Sequence, residues 1–154
     1  MSRKTMVYLD GAVAGLIGAA IIAVWFLFID AVTRLPLYTP TVLGEGLFLG
    51  EQVLTSNGGE QVSLKLTLLY SGIHGLVFIA LGVIAAYWFL LSKRKLHFSI
   101  AFVALFVVLE LGFVSTAFVF AKPVLDELAW SLVLIGNFLA AGGMVCYLSL
   151  RRGS

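Results

Sequence analysis

Long apolar runs separated by short polar breaks set the pattern of this chain. The clearest run is Leu66–Leu91, LTLLYSGIHGLVFIALGVIAAYWFLL, which has no formally charged residue and stops at Ser92-Lys93-Arg94-Lys95. About 26 residues at ~1.5 Å each span roughly 39 Å as a helix, more than the ~30 Å hydrocarbon core of a bilayer. Three other runs share this character. Together they predict four membrane-spanning helices over about residues 6–33, 66–91, 98–121 and 128–150, with one long non-spanning piece over 34–63. The breaks Ser92–His97 and Lys122–Glu127 are short, so the second, third and fourth spans are expected to be antiparallel neighbours. The expected fold is a single all-α transmembrane domain over residues 1–154. It is an antiparallel four-transmembrane-helix bundle with a short extracytoplasmic loop helix.

The first span is lined with small residues in its first half: Gly11, Ala14, Gly15, Gly18 and Ala19. The spacings Gly11-x-x-x-Gly15 and Ala14-x-x-x-Gly18 let another helix approach closely. Trp25, Phe26 and Phe28 in the second half suit lipid contact or an aromatic belt. Met1-Ser2-Arg3-Lys4 has the look of a secretory leader. The apolar stretch that follows exceeds the usual length of about 7–15 residues, and Phe28-Ile29-Asp30 lacks small-residue cleavage chemistry, so the stretch reads as a retained first span. Within 34–63, Leu35-Pro36-Leu37 turns the chain. Thr39-Pro40 reads as an N-cap followed by proline at the first helical position, and Thr41–Leu54 as a short helix on the membrane surface or tucked into its edge. Glycines 44, 46 and 50 weaken that helix. Thr55–Glu60 reads as a flexible turn. The whole piece fits a lid over the outer mouth of the bundle, or a plain linker. Gly44-Glu45-Gly46 is no phosphate loop, since no strand precedes it and no P-loop lysine follows.

Composition turns the pattern into a statement about solvent. The chain is 61% hydrophobic and 12% charged, with a mean hydropathy of +1.07. Soluble domains run near 45–50% and about 25%. Water cannot solvate that much apolar surface, so the bilayer is the expected solvent. The net charge is +2, and the basic residues sit at the ends of runs, which removes nucleic acid as a partner. Arg3, Lys4, Lys93, Arg94, Lys95, Arg151 and Arg152 fall on one side of a four-span topology. Arg34, Lys65 and Lys122 fall on the other, with Glu45, Glu51, Glu60, Asp126 and Glu127. The positive-inside rule then places both termini in the cytoplasm. Cys146 is the one cysteine, so no intrachain disulfide and no Cys/His metal spacing exists. It reads as a small apolar filler, with palmitoylation a weaker alternative.

Four polar residues stand out inside the spans: Asp30, His74, Glu110 and Asn137. Asp30 and Arg34 are one helical turn apart and are expected to form an ion pair at the outer boundary. Counting inward from the outer span ends at ~1.5 Å per residue, His74, Glu110 and Asn137 fall at similar depths of roughly 12–16 Å. A buried carboxylate needs a proton or a partner, and His74 and Asn137 are the partners at that depth. Thr67, Tyr70, Ser71 and Phe78 follow His74 at helical spacing, so a polar track runs from it towards the outer surface. The candidate ligand-binding set is therefore His74, Glu110, Asn137, Tyr70 and Ser71. The competing reading is interhelical hydrogen bonding that pins the bundle. No catalytic constellation and no metal-ligand cluster is visible, and no cofactor is expected. A membrane haem would take His74 as an axial ligand and need a second chain for the other, because His97 lies at the cytoplasmic turn. His97 beside Lys93-Arg94-Lys95 suits an anchor for anionic lipid head groups.

The stretch from Asp30 through Arg34-Leu35-Pro36-Leu37-Tyr38-Thr39-Pro40 resembles small four-span bacterial membrane proteins without an assigned activity. The resemblance covers the first span and the loop. It implies a bacterial inner membrane and transfers no functional residue. The leading expectation is a non-enzymatic accessory or structural subunit of a larger membrane complex, or a homo-oligomer, with protein partners in the membrane or self-association. The alternative is a small carrier or a binder of an apolar ligand or cofactor. A membrane enzyme with Glu110 and His74 as acid and base comes third.

Overall fold

The computed structural model describes residues 3–50, 62–91, 98–120 and 130–153, and among them every regular element is a helix. In chain order these are α1 (Arg3–Thr33), α2 (Tyr38–Leu49), α3 (Leu64–Leu91), α4 (Phe98–Phe120) and α5 (Trp130–Gly153). Helices α1, α3, α4 and α5 are long and apolar enough to cross a membrane. They start and stop close to the expected bounds, and the cause is local. The chain's prolines, Pro36, Pro40 and Pro123, all lie outside these four helices, so no interior position lacks its backbone donor. The expected turns at 55–60, 92–97 and 122–127 lie outside the described residues.

Helix α1 is the hub. It packs along α3 on one side and α5 on the other, while α4 packs on α5. The third and fourth spans are neighbours as expected, whereas the second and third are not. Helices α3 and α4 are consecutive in the chain yet barely touch, and α3 meets α5 only slightly. Helices that are apolar all round have no preferred face, so backbone access decides who packs with whom. That access lies between α1 and α3. A Cβ on Gly11 would stand 2.5 Å from the Val83 Cα, and one on Gly15 would stand 2.6 Å from the Ile79 Cα and collide with the Phe78 carbonyl oxygen. A Cβ on Gly82, facing them from α3, would stand 2.5 Å from the Gly15 nitrogen. The small-residue face of the first span therefore has its partner within the same chain. Contact partners run in opposite chain directions, Gly11 meeting Val83 while Gly18 meets Phe78.

The core forms where these helices meet. Ala19, Phe78, Leu105, Leu109, Ala140, Ala141 and Met144 form one cluster, and Val7, Ala14, Ala86, Phe89 and Leu148 a second. The outward surface is apolar as well, with Val24, Leu68, Leu76, Trp88 and Leu111 all more than half exposed.

Helix α2 begins earlier than the sequence suggests. Tyr38 is its first residue, and Thr39 and Pro40 are the second and third, so Thr39 is no N-cap. The residue before the helix, Leu37, is left-handed at φ 69°, and Gly50 ends it at φ 81°. Proline at the third position costs nothing, because the first-turn amides have no intrahelical acceptor. Thr39, Thr41, Val42, Gly44 and Gly46 are buried. Gly44 lies on the first turn of α3, where a Cβ would come within 2.9 Å of the Leu66 carbonyl oxygen. The α2 glycines that weaken helix propensity thus permit docking onto α3.

Candidate functional site: buried polar contacts at three levels

The buried polar residues fall at three levels along the helices. The level at the carboxyl end of α1 ties α2 down. Asp30, in the last turn of α1, is 1% exposed. One of its carboxylate oxygens accepts from the Thr39 amide at 2.8 Å, and the other from the Thr39 hydroxyl at 2.6 Å. A carboxylate from one helix thereby caps the amino-terminal turn of the next, where the free amides and the helix dipole favour negative charge. The Thr41 hydroxyl donates to the Leu37 carbonyl at 2.8 Å, which leaves its lone pairs for the Thr67 hydroxyl at 3.0 Å and the Ser63 amide at 3.3 Å. Thr67 belongs to the face expected to carry a polar track, and the track's outer end is spent on docking α2. The Arg34 guanidinium lies over the Tyr38 ring, 4.8 Å from its centroid, and the Arg34 amide donates to the Asp30 carbonyl at 2.8 Å. Asp30 thus has a role beyond the one expected from its spacing to Arg34, the capping of α2.

The middle level holds the expected polar residues. The Asn137 side-chain amide donates to Glu110 Oε1 at 3.0 Å, joining α4 to α5. Asn137 is 6% exposed and Glu110 is half-buried. His74 sits on α3 between two rings of its own helix, stacked on Tyr70 at 5.8 Å and tilted against Phe78 at 4.6 Å. Its Nε2 is buried and has no hydrogen-bond partner among the described residues. The structure therefore brings two of the three central candidates together and leaves the third between rings of its own helix with an unsatisfied nitrogen. Ser71 is exposed and does not join this set. Across the hub, the Trp25 indole N–H donates to the Leu132 carbonyl at 2.8 Å, over a face that Gly136 keeps clear. Trp25 thus binds α1 to α5, a role that the belt reading did not include.

The level at the other end of the bundle contains a residue the sequence did not single out. Asp10 Oδ1 accepts from Arg151 Nε at 2.9 Å and from the Tyr147 hydroxyl at 3.3 Å, which clamps the start of α1 to the end of α5. The Arg151 guanidinium lies 5.7 Å from the Tyr147 ring centroid. Nothing local in the sequence links Asp10 to a partner 141 positions away. Its place inside an apolar run was the one available signal.

Among the described residues, no group of three His, Cys, Asp or Glu side chains is placed to hold a metal ion. Chemically, the three levels supply hydrogen-bond donors and acceptors between helices, with His74 Nε2 left over as a ligand or proton acceptor. Comparison of the chain with protein-family models, with characterised proteins and with solved structures returns no match.

Proposed function

We propose that this chain is a multi-pass membrane protein, an antiparallel four-helix bundle of a bacterial inner membrane with both termini cytoplasmic. We further propose that it serves as a non-enzymatic structural or accessory subunit of a larger complex or homo-oligomer. One observation carries the reading. Polar groups that bind one another join α1 to α2 (Asp30 with Thr39), α1 to α5 (Trp25 with Leu132, and Asp10 with Arg151) and α4 to α5 (Glu110 with Asn137), while α1 meets α3 through glycines. In hydrocarbon such bonds pin helices, because an unpaired polar group there has no water to turn to. The polar inventory is thereby used for rigidity. Extraction in a mild detergent is expected to give a particle well above 16.6 kDa plus its micelle. A monodisperse monomer from native membranes would refute the subunit reading.

A second reading, a carrier or a binder of an apolar ligand or cofactor, is favoured by His74 alone. The test is His74→Phe. If the side chain serves only packing between Tyr70 and Phe78, removing its unpaired nitrogen raises thermal stability by about 1 kcal/mol. A loss of stability in native membranes, absent from the purified wild-type chain, would show that a bound molecule normally satisfies Nε2. A Soret band in the purified protein would identify that molecule as haem.

A further inference from the structure

Helix α4 carries one ionisable side chain, Glu110, near its middle. The Asn137 amide satisfies its Oε1. Among the described residues, Oε2 has no hydrogen bond and no ion pair. Either protonation state leaves that oxygen wanting. A carboxylate there is a charge without a counter-charge, and a carboxylic acid is an O–H without an acceptor. Both are costly where lipid is the solvent.

The surroundings of Glu110 divide in two. On one side Phe106 and Phe113, one turn before and one turn after it, meet Phe138 and Trp130 of α5 edge-on. On the other side lie Val103, Val107 and Val114, whose spacing puts them on one helical stripe with Glu110. They are 55%, 45% and 37% exposed, and half-buried Glu110 sits at the boundary between stripe and junction. Valines are stiff, so covering such a stripe costs little side-chain freedom.

Whatever covers the stripe can bring a partner to Oε2, and the matching partner for a carboxylate in hydrocarbon is a cation. A second copy of this chain supplies no lysine or arginine at that depth. Residues 5–33, 66–91, 98–120 and 130–150 contain neither. The His74 ring lies between Tyr70 and Phe78 of its own helix.

We propose that the α4 stripe of Val103, Val107 and Val114 docks a membrane helix of a different protein, whose lysine or arginine pairs with Glu110. The proposal rests on the reading of the chain as a subunit of a larger membrane complex, and it selects a mixed complex over self-association. A photoactivatable benzophenone side chain in place of Val107, in the full chain in its native membranes, tests it. Irradiation is expected to give one discrete adduct, with a protein that has a lysine or arginine inside a spanning helix. Glu110→Gln still accepts from the Asn137 amide, yet should lower the adduct yield about tenfold or more. Leucine in place of the partner's cation, which leaves this chain untouched, should do the same. An adduct with a second copy, an adduct with lipid alone, or a yield that neither charge removal changes would overturn the proposal. Adducts formed only from the same side chain placed at Leu76 of α3 would overturn it and leave the subunit reading standing. A monodisperse monomer in mild detergent would overturn both.

Discussion

Substituting one glycine on α1 and one on α3 separates close helix packing from helix propensity. In Gly15→Ala, the new methyl would lie 2.6 Å from the Ile79 Cα and against the Phe78 carbonyl. Carbon atoms pack at ~3.5–4.0 Å, so α1 and α3 must part by about 1 Å along their closest contact. The obstructing atoms are backbone, so no rotamer change relieves the clash. Overpacking of this kind costs about 1–3 kcal/mol. Alanine also gains about 1 kcal/mol over glycine in helix propensity, which offsets part of that loss. Gly72→Ala in α3 supplies the reference, because a Cβ there meets nothing within 4 Å. The propensity gain is common to both variants and cancels, which leaves a predicted gap of about 1–3 kcal/mol with Gly15→Ala the less stable. Unfolding by increasing mole fraction of sodium dodecyl sulfate in mixed micelles, followed by tryptophan fluorescence, measures the gap. If the two variants agree within about 0.5 kcal/mol, the glycine contact does not hold α1 to α3.

Three further outcomes follow from the polar contacts. Asp30→Ala removes the cap on α2 and should cost about 1–2 kcal/mol, with hydrogen exchange accelerating in residues 38–49 before it does in α3; uniform acceleration would contradict a local cap. Asn137→Leu leaves the Glu110 carboxyl without its donor and should cost about 1–3 kcal/mol, whereas Asn137→Leu with Glu110→Leu should recover most of that loss; a double variant as unstable as the single one would break the pairing argument. Leu37→Gly relieves the left-handed backbone before α2 and should raise stability by roughly 0.5–1 kcal/mol, measured in the same micelle titration; a loss would mean that the Leu37 side chain outweighs the strain.

The four long helices were legible because length and hydropathy are local quantities. Partner choice was not. Gly11 and Gly15 announced a close approach, but nothing in their spacing named Gly82 as the surface approached. The short link between α3 and α4 argued for contact, but α3 packs on α1, the hub, instead. The same holds for the site. Depth alone placed Glu110 beside Asn137, since both helices carry their polar residue at one level. Depth also placed His74 there, yet its ring is taken up by Tyr70 and Phe78. Asp30 was read against Arg34 because spacing favours partners on one helix, whereas Thr39 is reached only after the chain turns. Asp10 and Arg151 meet through topology alone.

The clamp between Asp10 and Arg151 also bears on the order of assembly. The two partners lie 141 residues apart in the chain. At ~5–20 residues per second, ribosomal synthesis separates them by roughly 7–28 s. Until α5 follows, the Asp10 carboxylate lacks the Arg151 guanidinium and the Tyr147 hydroxyl that it binds in the folded chain. The closing turn of α5 therefore works as a latch, and a ribosome stalled short of codon 151 leaves it open.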